Sequence, residues 1–405
     1  MQATSNVDNA HGWADTSRVL LAIAARFVPI SLSVLLAISS GQPVSAKDKT
    51  VTSSLAQGQT LKVAAEKPAT NNYYVGYTVV SNEYSYKDQK ANYKIAVWYP
   101  SALDAGSHKY KLGPSTIKAD LAVDSPVAAG KFPIVFYSHG ATGSGTSSFF
   151  ICELLAKNGY IVVAPDYLDT VNAARIDEPV AFDGFMRMKT NRDIYWLREY
   201  GLNKASREGR SAFEYRPEQL KSTIDLALRW DNAEGNRFQN KIDTDRIGLF
   251  GHSFGAWTSL LLCGADAKRL DKRIKAVVAL SGPVNQYVYK VDSDNDLKPI
   301  SVPILFEYGD KEPSLGRGDD KALLFEPANT PKMLISIKDA DHLSFSGGIK
   351  GEHKTSAEFL DDDTQRKTIS ETTLDFFDGF LKSDKIKLER LKSRTDGVSS
   401  SIAQF

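Results

Sequence analysis

Gly251-His252-Ser253-Phe254-Gly255 sets a hydroxyl between two glycines. G-x-S-x-G also arises by chance, so its flanks decide its meaning. Upstream, RIGLF (246–250) reads as a strand, and downstream AWTSLLLCGADA (256–267) reads as a helix. Strand, sharp turn and helix in that order lift a serine hydroxyl out of the chain for nucleophilic attack. A neutral serine is a weak nucleophile, so it needs a base and an acid to orient that base.

Both can be filled from residues farther along. His342 lies in a polar turn after KMLISIKDAD (332–341), and no other histidine separates Ser253 from His353. His353 sits in the charged segment KGEHK and is the weaker candidate. For the acid, Gly309-Asp310-Lys311-Glu312-Pro313 follows the strand-like VPILFEY, and Asp310 and Glu312 are both placed to reach the histidine. Either could equally form the turn. Asp339 and Asp341 flank His342 too closely and read as turn formers. An oxyanion hole needs two backbone donors. The N–H of Phe254 is one, and that of Ala141, in the turn after FPIVFYS (132–138), is the other. His139 and His252 read as supports for their turns.

The elements that must position these residues alternate between strand and helix. YYVGYTVV (73–80), NYKIAVWYP (92–100), FPIVFYS, YIVVAPDY (160–167), IKAVVALSG (274–282), VPILFEYG (302–309) and KMLISI read as strands. FFICELLAKNG (149–159), RPEQLKSTIDLALRWDNA (216–233) and ETTLDFFDGFLKSD (371–384) read as helices. The continuous apolar strands predict an α/β fold with a mostly parallel central sheet and helices on both faces. Residues 103–130, broken by Gly, Pro and Asp, read as a long loop. Residues 168–215 interrupt the alternation and read either as a lid-like insertion over the catalytic face or as an ordinary surface helix pair. Its Tyr195, Trp196 and Tyr200 are candidate substrate-pocket residues.

Residues 1–46 carry Arg18 and Arg26, an uncharged run from Phe27 to Ser40, and small residues at Val44-Ser45-Ala46. This is the pattern of an export signal cleaved after Ala46. The run is short for a membrane span. A periplasmic or extracellular mature chain without a stable membrane span is expected. Residues 47–70 read as a flexible leader, 71–390 as one catalytic domain and 391–405 as a C-terminal tail.

Composition narrows the class without naming a substrate. The 405 residues include 50 Lys and Arg against 49 Asp and Glu, giving a net charge of +1. That balance, with no recognised motif, excludes a nucleic-acid role. Two cysteines, Cys152 and Cys263, cannot build a disulfide framework, and in apolar helical stretches they read as free and buried. Six scattered histidines offer no zinc motif. No metal or other cofactor is expected, and composition leaves the oligomeric state open.

FPIVFYSHGATGSG, LAKNGYIVVAPDY, RIGLFGHSFGAWTSL, VPILFEYGDKEP and KDADHLSF, in that order, resemble the α/β-hydrolase fold. Within it they are similar to the dienelactone-hydrolase-like and platelet-activating-factor-acetylhydrolase-like serine esterases, over roughly residues 90–382. The resemblance implies cleavage of a small-molecule, lipid or polymeric carboxylic ester through an acyl-enzyme. Ser253 would be its nucleophile and His342 its base. In the dienelactone-hydrolase-like pattern the acid falls three residues after the strand-end glycine, here Glu312 where Asp is more usual, with Asp310 the alternative. In the acetylhydrolase-like pattern it follows the strand after the nucleophile, near Ser281, which has no carboxylate. Dienelactone hydrolases themselves use a cysteine nucleophile, so Ser253 argues against that activity. Amide or peptide hydrolysis would use the same residues. A non-catalytic binding protein of this fold would not need all three.

Overall fold

The computed structural model describes residues 72–86, 89–112, 115–170, 175–176, 213–282, 300–312, 325–326, 328–347, 355–361 and 363–405. The expected signal at 1–46 and leader at 47–70 lie outside the described residues. So do His353 and most of the insertion at 168–215, including Tyr195, Trp196 and Tyr200.

Eleven strands among the described residues form one sheet in the order β11-β10-β9-β8-β7-β5-β6-β2-β1-β4-β3. They are β1 (Tyr74–Tyr86), β2 (Gln89–Ser101), β3 (Gly106–Leu112), β4 (Ser115–Val123), β5 (Phe132–Ser138), β6 (Ile161–Pro165), β7 (Ile242–His252), β8 (Ile274–Leu280), β9 (Ile304–Gly309), β10 (Lys332–Ile337) and β11 (Val398–Gln404). Neighbours from β10 through β9, β8, β7 and β5 to β6 pair in parallel.

The helices cover both faces. They are α1 (Phe149–Lys157), α2 (Tyr215–Trp230), α3 (Phe254–Leu260), α4 (Ser356–Asp361), α5 (Thr364–Leu381) and α6 (Lys385–Ser393). Alternate residues of β5 show the division. Phe132, Ile134 and Phe136 join a core with Leu220 and Ile224 of α2 and Leu260 of α3. Val135 and Tyr137 join a second core with Phe149 of α1 and Phe376 of α5. A strand buried on both sides has no polar face to alternate with, so β5 and β6 are continuous apolar runs. Cys152 and Cys263 are free and buried, one in each core. No helix among the described residues is long and apolar enough to cross a membrane.

Two expectations need correction. Residues 103–130 are not one long loop, because β3 and β4 pair as a hairpin within them. Ile117, Ala119 and Leu121 are buried while Lys118 and Asp120 between them are exposed, the period of a half-covered strand. The intervening Gly113-Pro114 and the many charges masked that alternation. Residues 391–405 are not a tail: they finish α6 and add β11 antiparallel to β10. Five of the seven β11 residues are Ser, Ala or Gln, so the strand carries little apolar signal.

One buried group makes the fold pH-sensitive. Glu307 of β9 is fully buried, and neither carboxylate oxygen finds a hydrogen-bond partner among the described residues. The neighbouring Thr372 hydroxyl is committed to the Thr368 carbonyl at 2.8 Å. Burial pushes the Glu307 carboxyl from its ordinary 4.5 up to about 8, against the opposing pull of Thr372 and Arg394. A folded-state value above the unfolded one gives stability that is complete below about 4.5 and lost as pH rises through about 8. We expect Glu307→Gln to melt above wild type at about pH 9 and to close that gap near pH 4.5. Melting curves over this range check it, and a constant offset would contradict it.

Candidate active site

The sheet order places β5 beside β7, with β6 continuing on one side and β8 on the other. Ligands of such sheets bind past the strand C-termini where the winding reverses. Ser253 follows β7 there, and the loop containing Ala141 follows the adjacent β5, in the register Ser138 to Gly251.

Ser253 has φ 54° and ψ −119°, a conformation that costs a non-glycine residue energy. The surroundings impose it. Its N–H donates to Leu280 O at 2.9 Å, and α3 begins at the next residue. A Cβ on Gly255 would collide with the Ser138 carbonyl, and one on Gly251 would collide with the Gly255 carbonyl. Only glycines let the helix start this close to β5 and β7. Phe254, the first residue of α3, has an N–H with no carbonyl one turn behind it within the helix. The 139–141 loop runs alongside: a Cβ on Gly140 would lie 3.4 Å from Ser253 Cβ.

Ser253 Oγ lies 3.0 Å from His342 Nε2. His342 opens a short 3₁₀ turn, His342–Phe345, capped by Asp341, whose Oδ1 accepts from the N–H groups of Leu343 and Ser344, each at 3.0 Å. His252 of the elbow holds the same turn by donating from Nε2 to His342 O at 2.9 Å. Burial, reinforced by the adjacent His342, keeps His252 neutral by drawing its pKa well below the ordinary histidine value.

The two candidate acids part company. Asp310 is exposed, and its Oδ1 accepts from Asp339 N at 2.8 Å, tying the β9 turn to the β10 turn. The Glu312 side chain is 3% exposed, with Oε2 3.7 Å from His342 Nδ1. Its Oε1 accepts from Gly309 N at 2.7 Å, and its Oε2 accepts from Ser281 Oγ at 2.8 Å. Ser281 Oγ is also 2.5 Å from His342 Nδ1.

A buried ion pair that sequence reasoning missed holds the 139–141 loop. Arg216, fully buried at the start of α2, donates from Nε and Nη2 to the Asp169 carboxylate at 3.0 and 2.7 Å. Its remaining donors reach His139 O at 2.8 Å and Gly140 O at 3.2 Å. The guanidinium lies over the rings of Tyr167 and Phe254. Burial acts to raise the Asp169 pKa, but Arg216 wins and keeps it below the usual carboxylate value. With both carbonyls held by Arg216, the peptide turn through residues 139–141 is fixed. His139 serves the same loop. Its Nε2 accepts from Tyr167 N at 3.1 Å, so the proton is on Nδ1, which donates to Gly140 O at 2.7 Å. Burial and Arg216 bring its pKa down to about 3. The arginine and aspartate carry no local signature in the sequence, because only the fold brings residues 47 positions apart together.

Phe213, where the insertion rejoins the described chain, packs edge-on against Phe254 at 4.8 Å, and Trp257 stacks on that ring at 4.6 Å. Among the described residues, no three His, Cys, Asp or Glu side chains converge as metal ligands.

Comparison with known proteins agrees with this architecture. A platelet-activating factor acetylhydrolase from Cavia porcellus is 23% identical over 355 residues, covering 77% of each chain. Another from Gallus gallus is 22% identical over 302 residues, covering 67% of each. A ferulic acid esterase from Streptomyces cinnamoneus superimposes with a TM-score of 0.58 at 16% identity, over 85% of this chain and 99% of that one. The fold is the α/β-hydrolase fold. The dienelactone hydrolase family matches residues 120–358, more than half of the chain, and the chain belongs to that family.

Proposed function

We propose that this chain, a carboxylic-ester hydrolase by family, works through an acyl-enzyme formed on Ser253. The observation that carries the reading is the 3.0 Å contact between Ser253 Oγ and His342 Nε2 at a strained strand-to-helix turn. Ser253 Oγ attacks the ester carbonyl carbon while His342 Nε2 takes its proton. The carbonyl π pair moves onto oxygen, which faces the N–H groups of Phe254 and Ala141. Collapse of this intermediate expels the alcohol oxygen, which takes the proton from His342. A water then repeats the sequence on the acyl group, losing a proton to His342 and returning the Ser253 hydroxyl with release of the carboxylic acid.

Glu312 is the acid in this reading. Its side chain is buried, is anchored by the Gly309 N–H, and faces His342. Asp310 is a turn residue, because its carboxylate is spent on the Asp339 N–H. Relatives named as an acetylhydrolase and as a ferulic acid esterase favour ester cleavage over amide cleavage.

Export remains part of the proposal. It is supported by the uncharged run from Phe27 to Ser40, closed by Val44-Ser45-Ala46.

With a short-chain chromogenic ester, Ser253→Ala should lower kcat by about 10⁴ or more, and Glu312→Gln by roughly 10²–10⁴. Asp310→Asn should stay within about threefold of wild type. Full activity in Ser253→Ala would remove the nucleophile assignment, and a larger loss in Asp310→Asn than in Glu312→Gln would reverse the choice of acid. For export, N-terminal sequencing of the secreted mature protein should begin at Lys47. Retention of an intact Met1 in the cytoplasm would contradict it.

A further inference from the structure

The acid and the base of this site do not touch. Glu312 Oε2 is 3.7 Å from His342 Nδ1, too far for a hydrogen bond. Ser281 Oγ occupies the space between, 2.5 Å from Nδ1 and 2.8 Å from Oε2. An ionised carboxylate only accepts, so the single hydroxyl proton of Ser281 goes to Glu312. The Ser281 oxygen is then left to accept, and His342 must donate to it from Nδ1. That leaves Nε2 without a proton and facing Ser253. One hydroxyl thus converts the charge of Glu312 into the tautomer that the base requires.

The backbone is built to hold this serine. Ser281 is fully buried at the end of β8 and has φ 45°, a left-handed conformation uncommon outside glycine. Its N–H donates to Glu307 O at 2.7 Å, and Leu280 just before it accepts the N–H of Ser253. The nucleophile and the bridge therefore stand at the ends of adjacent strands, each in a strained conformation and linked by main-chain hydrogen bonds.

We propose that Ser281 is a positioning residue of the reaction, a hydroxyl bridge through which Glu312 orients His342. The inference rests on the acyl-enzyme reading, with Ser253 and His342 in the roles given above. No proton leaves Ser281 during the cycle. Its hydroxyl stays bonded to Glu312 as positive charge develops on the imidazole, so the bond from Nδ1 becomes charge-assisted without breaking. The geometry also makes position 281 an alternative seat for the acid. A carboxylate there would meet Nδ1 directly, and aspartate is among the few side chains that accept this φ.

The test compares wild type, Ser281→Ala, Glu312→Gln, the double variant S281D/E312Q and Ser253→Ala on one chromogenic ester, with a thermal melt of each. Ser281→Ala should lower kcat by roughly 10–100-fold with KM within about twofold, because tautomer control is lost while binding is untouched. S281D/E312Q should regain at least about tenfold in kcat over Glu312→Gln, a rescue that a merely structural serine would not give. Activity of Ser281→Ala within about twofold of wild type would overturn the proposal. So would a folded double variant no better than Glu312→Gln. Should the double variant not fold, the kcat and KM of Ser281→Ala decide alone. If Ser253→Ala and Glu312→Gln lose activity as expected while Ser281→Ala stays within about twofold of wild type, only the bridge fails. If Ser253→Ala stays active, the acyl-enzyme reading itself fails.

Discussion

The close approach of Gly255 to the Ser138 carbonyl is the contact on which the site depends. It lets α3 begin against the end of β5, although α3 follows β7 in the chain. The parallel pairing of β5 with β7 supplies the register, and the two glycines supply the room. Ser253, the Phe254 N–H and the Ala141 loop are brought together by this one junction of strand, turn and helix. Any side chain at Gly255 would push the helix off β5 and separate Ser253 from the 139–141 loop beside it.

Around that junction the fold holds costly arrangements in place. Ser253 and Ser281 both have positive φ, each a strain of about 1–3 kcal/mol. They persist because β7 and β8 are central strands, hydrogen-bonded on both sides and packed between two cores. Arg216 and Asp169 are a second cost, since removing an ion from water costs several kcal/mol even after relaxation. The pair recovers part of this through hydrogen bonds to one another and to the His139 and Gly140 carbonyls. Spending a buried ion pair on two loop carbonyls makes sense where the shape of that loop matters. The neutral His139 and His252 follow the same logic, because in both rings the donor and acceptor roles are set by main-chain partners.

What could be read from the sequence follows from burial. The strands β5 and β6 are legible because two covered faces leave continuous apolar runs, β7 to β10 because most of their residues are apolar, and the elbow because its glycines and flanks are local. The β3–β4 hairpin is harder, since one face carries Lys and Asp and a Gly-Pro pair divides it. β11 is harder still, for its serines and alanine have neither a hydrophobic period nor a turn signal. Within the site, Ser253 Oγ and His342 Nε2 come within 3.0 Å, and the Glu312 carboxylate faces His342 while that of Asp310 binds the Asp339 N–H. Ser281, Arg216 and Asp169 escape because their significance comes from neighbours distant in sequence. The absence of a carboxylate at Ser281 was visible, but the hydroxyl's place between base and acid needed three dimensions.

In the proposed chemistry Ser253 is the residue that becomes acylated. The most direct test is covalent labelling with a phosphonofluoridate, an ester-like electrophile, followed by peptide mass mapping. A single phosphonyl adduct on Ser253 that fails to form in a folded His342→Ala variant is the expected result. Rapid labelling of another residue with Ser253 unmodified, or equal labelling with and without His342, would contradict it.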